Sequence, residues 1–142
     1  MKKTEWLRTP YANTSAKNTE KSFSLLFEKY GIEQYQYSRG VIDGNAAFQV
    51  RFVINDKPYR FKLEVLDVPD VPVEKLIEQL KRVLFFQLKS ILETSTIFLT
   101  PEELLFSFLE LPKGTVYEIA SKHMDEIQIA TKGSEVAGFL TS

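Results

Sequence analysis

Residues 46–65 read Ala-Ala-Phe-Gln-Val-Arg-Phe-Val-Ile-Asn-Asp-Lys-Pro-Tyr-Arg-Phe-Lys-Leu-Glu-Val, and this stretch decides the fold. Phe48, Val50, Phe52 and Ile54 share one face of an extended strand. Tyr59, Phe61, Leu63 and Val65 form the matching face of a second strand, because side chains alternate with a period of two. Asn55-Asp56 between them is a two-residue hairpin turn. The other face shows Gln49, Arg51, Val53, Arg60, Lys62 and Glu64. One face is dry and the other mostly polar, as in an antiparallel sheet covered on one side.

Upstream, residues 33–39 (Glu-Gln-Tyr-Gln-Tyr-Ser-Arg) alternate as well, and Asp43-Gly44 supplies a turn into the hairpin. Two registers are open for this first strand. One sets Tyr35, Tyr37 and Arg39 beside Arg51, Arg60 and Lys62. The other, which we favour, turns both tyrosines into the core and leaves Gln34, Gln36 and Ser38 outside. Before it, a helix is predicted from Ser15 or Asn18 to Tyr30, since Phe23, Leu26, Phe27 and Tyr30 make one apolar stripe. Gly31 ends it and Ile32 folds back on it. Residues 1–14 read as an arm, pinned to the core in part by Trp6, Leu7 and Tyr11.

Downstream, residues 67–72 (Asp-Val-Pro-Asp-Val-Pro) form a stiff connector, with Pro72 opening a long helix predicted to reach Thr94. Val73, Leu76, Ile77, Leu80, Val83, Leu84, Leu88 and Ile91 make its apolar arc. Gln87 falls inside that arc and reads as a hydrogen-bonded core glutamine. Phe85 and Phe86 lie outside it. Thr100-Pro101-Glu102-Glu103 starts another helix with a capping box, predicted to run to Leu111-Pro112. Lys113-Gly114 turns the chain, and Thr115-Val116-Tyr117-Glu118 is a second capping box for a helix to about Ile127. These two short helices are the expected cover for Phe85 and Phe86. Residues 128–142 read as a loose tail in which Phe139-Leu140 can dock. The predicted fold class is α+β: a helix, a three-stranded antiparallel sheet, a long helix packed on the sheet, and two short C-terminal helices, in a single domain of 142 residues.

Composition bounds the function. The chain has no Cys, so it has neither a disulfide framework nor a thiolate nucleophile. No apolar run approaches a membrane span, and Met1-Lys2-Lys3 leads into no apolar stretch; a cytoplasmic protein without a membrane partner is expected. The 18 Lys and Arg nearly balance 19 Asp and Glu, which excludes a protein that is basic all over. The balance hides a split: residues 1–62 carry 11 basic and 6 acidic side chains, a net of +5, and the rest carry 7 and 13, a net of -6. Such polarity can steer a charged partner to one end of a molecule.

Catalysis has little to work with. The single His123 lies beside the stripe of Val116, Ile119, Ala120 and Ile127 and reads as a histidine at the edge of a core. Glu64, Asp67 and Asp70 cluster near the connector, but Lys62-Leu63-Glu64 reverses the order a metal-dependent nuclease strand would use. The glycines are scattered, with no phosphate-binding loop. No catalytic residue, metal ligand or cofactor is assigned. The best functional candidate is a basic sheet face of Arg51, Arg60 and Lys62, joined by Tyr35, Tyr37 and Arg39 in the first register; rings stack on bases while cations hold phosphates. The rival is a protein-binding surface in the acidic second half, with Glu102, Glu103, Glu110, Glu118, Asp125 and Glu126 and the helix residues Phe85 and Phe86.

Several segments in order resemble a small uncharacterised protein family of bacteriophages, prophages and other mobile elements. They are Tyr11–Ser15, Glu28-Lys29-Tyr30-Gly31, Tyr59-Arg60-Phe61-Lys62-Leu63, Gln87–Glu93 and, most distinctive, Leu111-Pro112-Lys113-Gly114-Thr115-Val116-Tyr117-Glu118. The resemblance implies a phage or mobile-element setting and brings no reaction, cofactor or catalytic residue. The order of elements also resembles the double-stranded RNA-binding fold, but Glu74, Lys75 and Glu78 stand where that module places a basic cluster. The expectation is a non-enzymatic binding protein, associated with DNA or RNA through Arg39, Arg51, Arg60 and Lys62. The alternative is a host-directed inhibitor or an assembly subunit, which acts on a host protein through the acidic half or self-associates as an oligomer.

Overall fold

Two tight hairpins build the sheet. The computed structural model describes residues 2–6, 8, 19–65, 68–97 and 100–126. Strands β1 (Tyr35–Ile42), β2 (Asn45–Ile54) and β3 (Lys57–Glu64) pair antiparallel in the order β1-β2-β3. Asp43 and Gly44 have φ of 50° and 83°, and Asn55 and Asp56 have 51° and 63°. Positive φ at both central residues is what a two-residue hairpin needs to match the strand twist, and Asn, Asp and Gly tolerate it best. These turns fix the register, placing Phe48 opposite Leu63, Val50 opposite Phe61 and Phe52 opposite Tyr59.

After a short helix α1 (Lys3–Trp6), helix α2 covers Thr19–Lys29. Gly31, at φ 69°, lets the Ile32 N–H donate back to the Phe27 carbonyl at 2.8 Å and close the helix. Helix α3 spans Val73–Ile97. Phe23, Leu26 and Phe27 of α2 and Leu84, Leu88 and Leu92 of α3 are buried with Phe48, Val50, Phe52, Tyr59 and Phe61 of the sheet. Both helices therefore cover the face predicted to be dry. A second cluster of Val65, Val68, Val71, Leu76 and Ile77 anchors the connector. Helix α3 runs three residues beyond its predicted end, and in its last turn Thr94, Ser95 and Thr96 donate to the carbonyls of Ser90 and Leu92.

Several expectations are corrected. Gln87 is exposed, and the buried polar residues of α3 are Gln79 and Lys81. Lys81, with a side chain only 8% exposed, reaches Glu20 at 3.1 Å and Glu78 at 3.3 Å while its ammonium lies over the Phe48 ring. Replacing Lys81 with Met should leave stability unchanged or raise it by about 1 kcal/mol, because the desolvation cost of a buried ion pair offsets its attraction. Chemical denaturation checks this, and a loss above about 2 kcal/mol would show that the pair itself is needed.

The cover for Phe85 is α2, since its ring meets Phe23 edge-on at 5.5 Å; Phe86 packs on Phe85 at 5.2 Å, with the Arg82 guanidinium over both rings. Helix α4 (Pro101–Leu105) packs on α3 and sends Leu105 into the core. The predicted helix to Leu111 breaks after α4 into a 3₁₀ turn (Phe106–Phe108) and a two-stranded ribbon, β4 (Glu110–Leu111) and β5 (Gly114–Thr115). Its cause is tertiary: Phe108 packs on Phe61 with ring centroids 3.9 Å apart, and Leu109 bridges Tyr59 at the β3 edge.

Helix α5 (Val116–Ser121) gives way to turns as far as Glu126, shorter than predicted. His123 is exposed rather than at a core edge, with Nδ1 3.3 Å from Glu126. The side chains of Trp6, Leu7 and Tyr11, and residues 127–142 with Phe139-Leu140, lie outside the described residues. Among the described residues no helix is long and apolar enough to cross a membrane.

Candidate functional site on the polar sheet face

The β2–β3 register sets Arg51 directly opposite Arg60 and Gln49 opposite Lys62. Like charges facing each other across strands repel, so this arrangement needs acceptors. Two glutamates of the C-terminal unit supply them. Glu110 on β4 takes Arg51 in a two-point grip, Nε to Oε1 at 2.7 Å and Nη2 to Oε2 at 2.6 Å. That hydrogen-bonded pairing raises the Arg51 pKa above its usual value. Glu118 on α5 accepts from Arg60 through Oε1 and from Lys62 through Oε2, the latter at 3.4 Å. The polar face expected to meet solvent is thus clasped at β3 by the acidic half of the chain.

Glu118 has a second task. The Thr115 N–H donates to its Oε1 at 2.9 Å while the Glu118 N–H donates to Thr115 Oγ1 at 3.2 Å, which completes the capping box of α5. Hydrogen bonding by Thr115, aided by the positive Arg60 and Lys62, lowers the Glu118 carboxyl to about 2 against the opposing effect of burial. Gly114 leads into this cap at φ 141°, a backbone conformation that residues with a side chain rarely adopt. Two stretches far apart in sequence, Tyr59–Leu63 and Leu111–Glu118, therefore meet in one ion-paired junction.

The six residues proposed for nucleic acid fall into two groups. Arg51, Arg60 and Lys62 share the polar face. Tyr35, Tyr37 and Arg39 stand opposite Phe52, Val50 and Phe48 and so belong to the helix-covered face. Tyr35 stacks on Phe27 at 4.8 Å, and the Tyr37 hydroxyl shares a 2.5 Å hydrogen bond with Ser24 Oγ. Arg39 pairs with Glu74 at 2.7 Å. The register that turns the tyrosines to the helix-covered face is the observed one, with Tyr37 half-buried and Tyr35 still 39% exposed, so no aromatic of β1 joins the cations. Phe85 and Phe86 sit beside α2, away from the clasp.

Between the polar face and α5 lies a cleft of about 450 Å³, whose charged lining is Arg60, Lys62 and Glu118 and whose aromatic lining is Phe108 and Tyr117. Arg60 Nε is buried there with no hydrogen-bond partner. Phe106 and Tyr117 are 59% and 66% exposed, and Leu111 and Met124 are also open. Phe106 lines a shallow hollow with Glu102, Glu103 and Leu104. The sequence shows the capping boxes and acids of this region but offers no local signal for the exposure of Phe106 and Tyr117, which only the packing sets.

Among the described residues no three His, Asp or Glu side chains converge as metal ligands. Glu64 is exposed at the end of β3, Asp70 lies in a turn at φ 64°, and Asp67 is outside the described residues. No protein-family model, curated protein or solved structure matches the chain.

Proposed function

We propose that this protein is a non-enzymatic binding protein that engages a basic partner protein through residues 100–126. The observation that carries this reading is the exposure of Phe106, Leu111, Tyr117 and Met124 in a stretch holding six acidic and two basic residues. Exposed aromatic side chains are the usual anchors of an interface, and surrounding acids steer a cationic surface towards them. The resemblance to a phage and mobile-element family makes a host protein the natural partner, in the manner of an inhibitor. A photo-crosslinking residue at Tyr117 in host lysate tests it. A discrete basic protein should be captured, less of it at high salt and much less when Phe106 is replaced with Ser; the same probe at Leu25, exposed on α2, should not capture it. Equal capture at both positions would sink the reading.

A second reading keeps the nucleic-acid function, because three cations share two carboxylates and Arg51 is half exposed. Binding to DNA or RNA would then appear at low salt, strengthen several-fold in Glu110→Gln, and weaken with a shallow salt slope set by about three phosphates. A gel-shift series without complex at low salt in either protein removes this reading.

A further inference from the structure

We infer that the outer edge of β1 is a self-pairing interface, through which two copies join their sheets into one of six strands about a two-fold axis. This goes beyond the partner surface proposed for residues 100–126 and lies elsewhere on the molecule.

Hydrogen bonding to β2 leaves alternate backbone groups of β1 pointing outward. The Val53 N–H donates to Gln34 O at 3.0 Å, and the Ile42↔Asn45 pair closes the hairpin, so the even-numbered residues of β1 bond to β2. The odd-numbered residues, Tyr35, Tyr37, Arg39 and Val41, therefore aim their N–H and C=O groups away from the sheet. Among the described residues no strand pairs with that edge. The opposite edge differs, since Pro58 has no N–H to offer and Leu109 bridges Tyr59. Open strand edges are templates for another strand, and proteins leave them long and regular only where pairing is used or blocked.

Side-chain complementarity selects the second copy and its register. An antiparallel pairing centred on Ser38 sets Tyr35 against Val41 of the other copy and Tyr37 against Arg39 of the other copy, each twice. The first contact is aromatic on β-branched and covers Val41, which is 74% exposed. The second places a guanidinium beside a tyrosine ring. Shifting the centre to Arg39 would oppose two arginines, and shifting it to Tyr37 would leave Val41 uncovered. Of these registers, all compatible with a two-fold axis, the Ser38 one alone uses all four outward residues without opposing like charges.

Because the chain has no cysteine, single-cysteine variants read the register directly. In the proposed pairing the Ser38 residues face each other at a non-hydrogen-bonded position, where Cα atoms lie about 4.5 Å apart, within disulfide reach. The full-length Ser38→Cys protein should form a covalent dimer under mild oxidation. Gln36→Cys and Gly40→Cys should cross-link only when mixed. Sedimentation of the unmodified protein should give a dimer, weakened at least about tenfold in Val41→Pro, whose lost N–H faces outward and whose circular dichroism should be unchanged. A strict monomer overturns the proposal, including one whose edge is taken by its own N-terminal residues. So does a dimer in which Gln36→Cys cross-links alone or Val41→Pro has no effect.

Discussion

Replacing Phe52 with Ala should cost about 4 kcal/mol of stability, the largest loss expected for a single substitution in this protein. Phe52 is 1% exposed and stands where the sheet meets α2, with ring centroids 5.5 Å from Phe27 and 5.8 Å from both Tyr59 and Phe61. Truncation removes the transfer free energy of a whole ring and leaves a cavity walled by three other rings, each too constrained to collapse into it. Domains of this size are stable by about 5–15 kcal/mol, so the variant should remain folded at low temperature with a sharply lower urea midpoint. Phe106→Ala is the control: that ring is largely in water and should change stability by under about 0.5 kcal/mol. A loss below about 1.5 kcal/mol for Phe52→Ala would contradict the aromatic core described above.

The second large effect belongs to Glu118. Its carboxyl falls from an ordinary 4.5 to about 2 on folding. A lowered folded pKa means that the unfolded chain binds the proton more readily, so the contribution is fully present above 4.5 and fades as pH falls towards 2. A fall of that size corresponds to about 3 kcal/mol, and solvent screening at a side chain one-third exposed (33%) reduces it to about 2. Glu118→Ala should lose about 2 kcal/mol at neutral pH, whereas Glu118→Gln, which can still cap α5, should lose about 1. Both variants should approach the wild type in stability between pH 4.5 and 2. A stability difference that persists unchanged to pH 2 would show that the charge of Glu118 is not what holds the clasp.

The sheet was legible because its signals are local. Alternation in residues 46–54 and 59–65 and the residues Asp43-Gly44 and Asn55-Asp56 need no knowledge of the rest of the chain, and strands, turns and register follow them. Helices α2 and α3 are equally local, through the stripe of Phe23, Leu26 and Phe27 and the arc of α3. Residues 106–112 and 122–126 depart from the expected helices for the converse reason. A capping box marks where a helix begins but not how far it runs, and the packing of Phe108 on Phe61 with the bridge from Leu109 to Tyr59 ended α4 early. Gln87, expected in the core because it falls within the apolar arc, is exposed, whereas Lys81 is buried with Glu20 and Glu78 within reach.

By itself, then, the sequence determined an α+β chain with one dry and one polar sheet face, and a basic first part set against an acidic second part. Those are consequences of periodicity, turn chemistry and composition, each contained in a few neighbouring residues. Only the tertiary structure decided what the charges do. Glu110 and Glu118 lie far along the chain from Arg51, Arg60 and Lys62, yet they close on them in space, so much of the charge split is spent within the molecule. The same long-range packing left Phe106 and Tyr117 in solvent and the β1 edge unpaired among the described residues. Surfaces of that kind depend on what does not pack against them, and no local stretch of sequence encodes it.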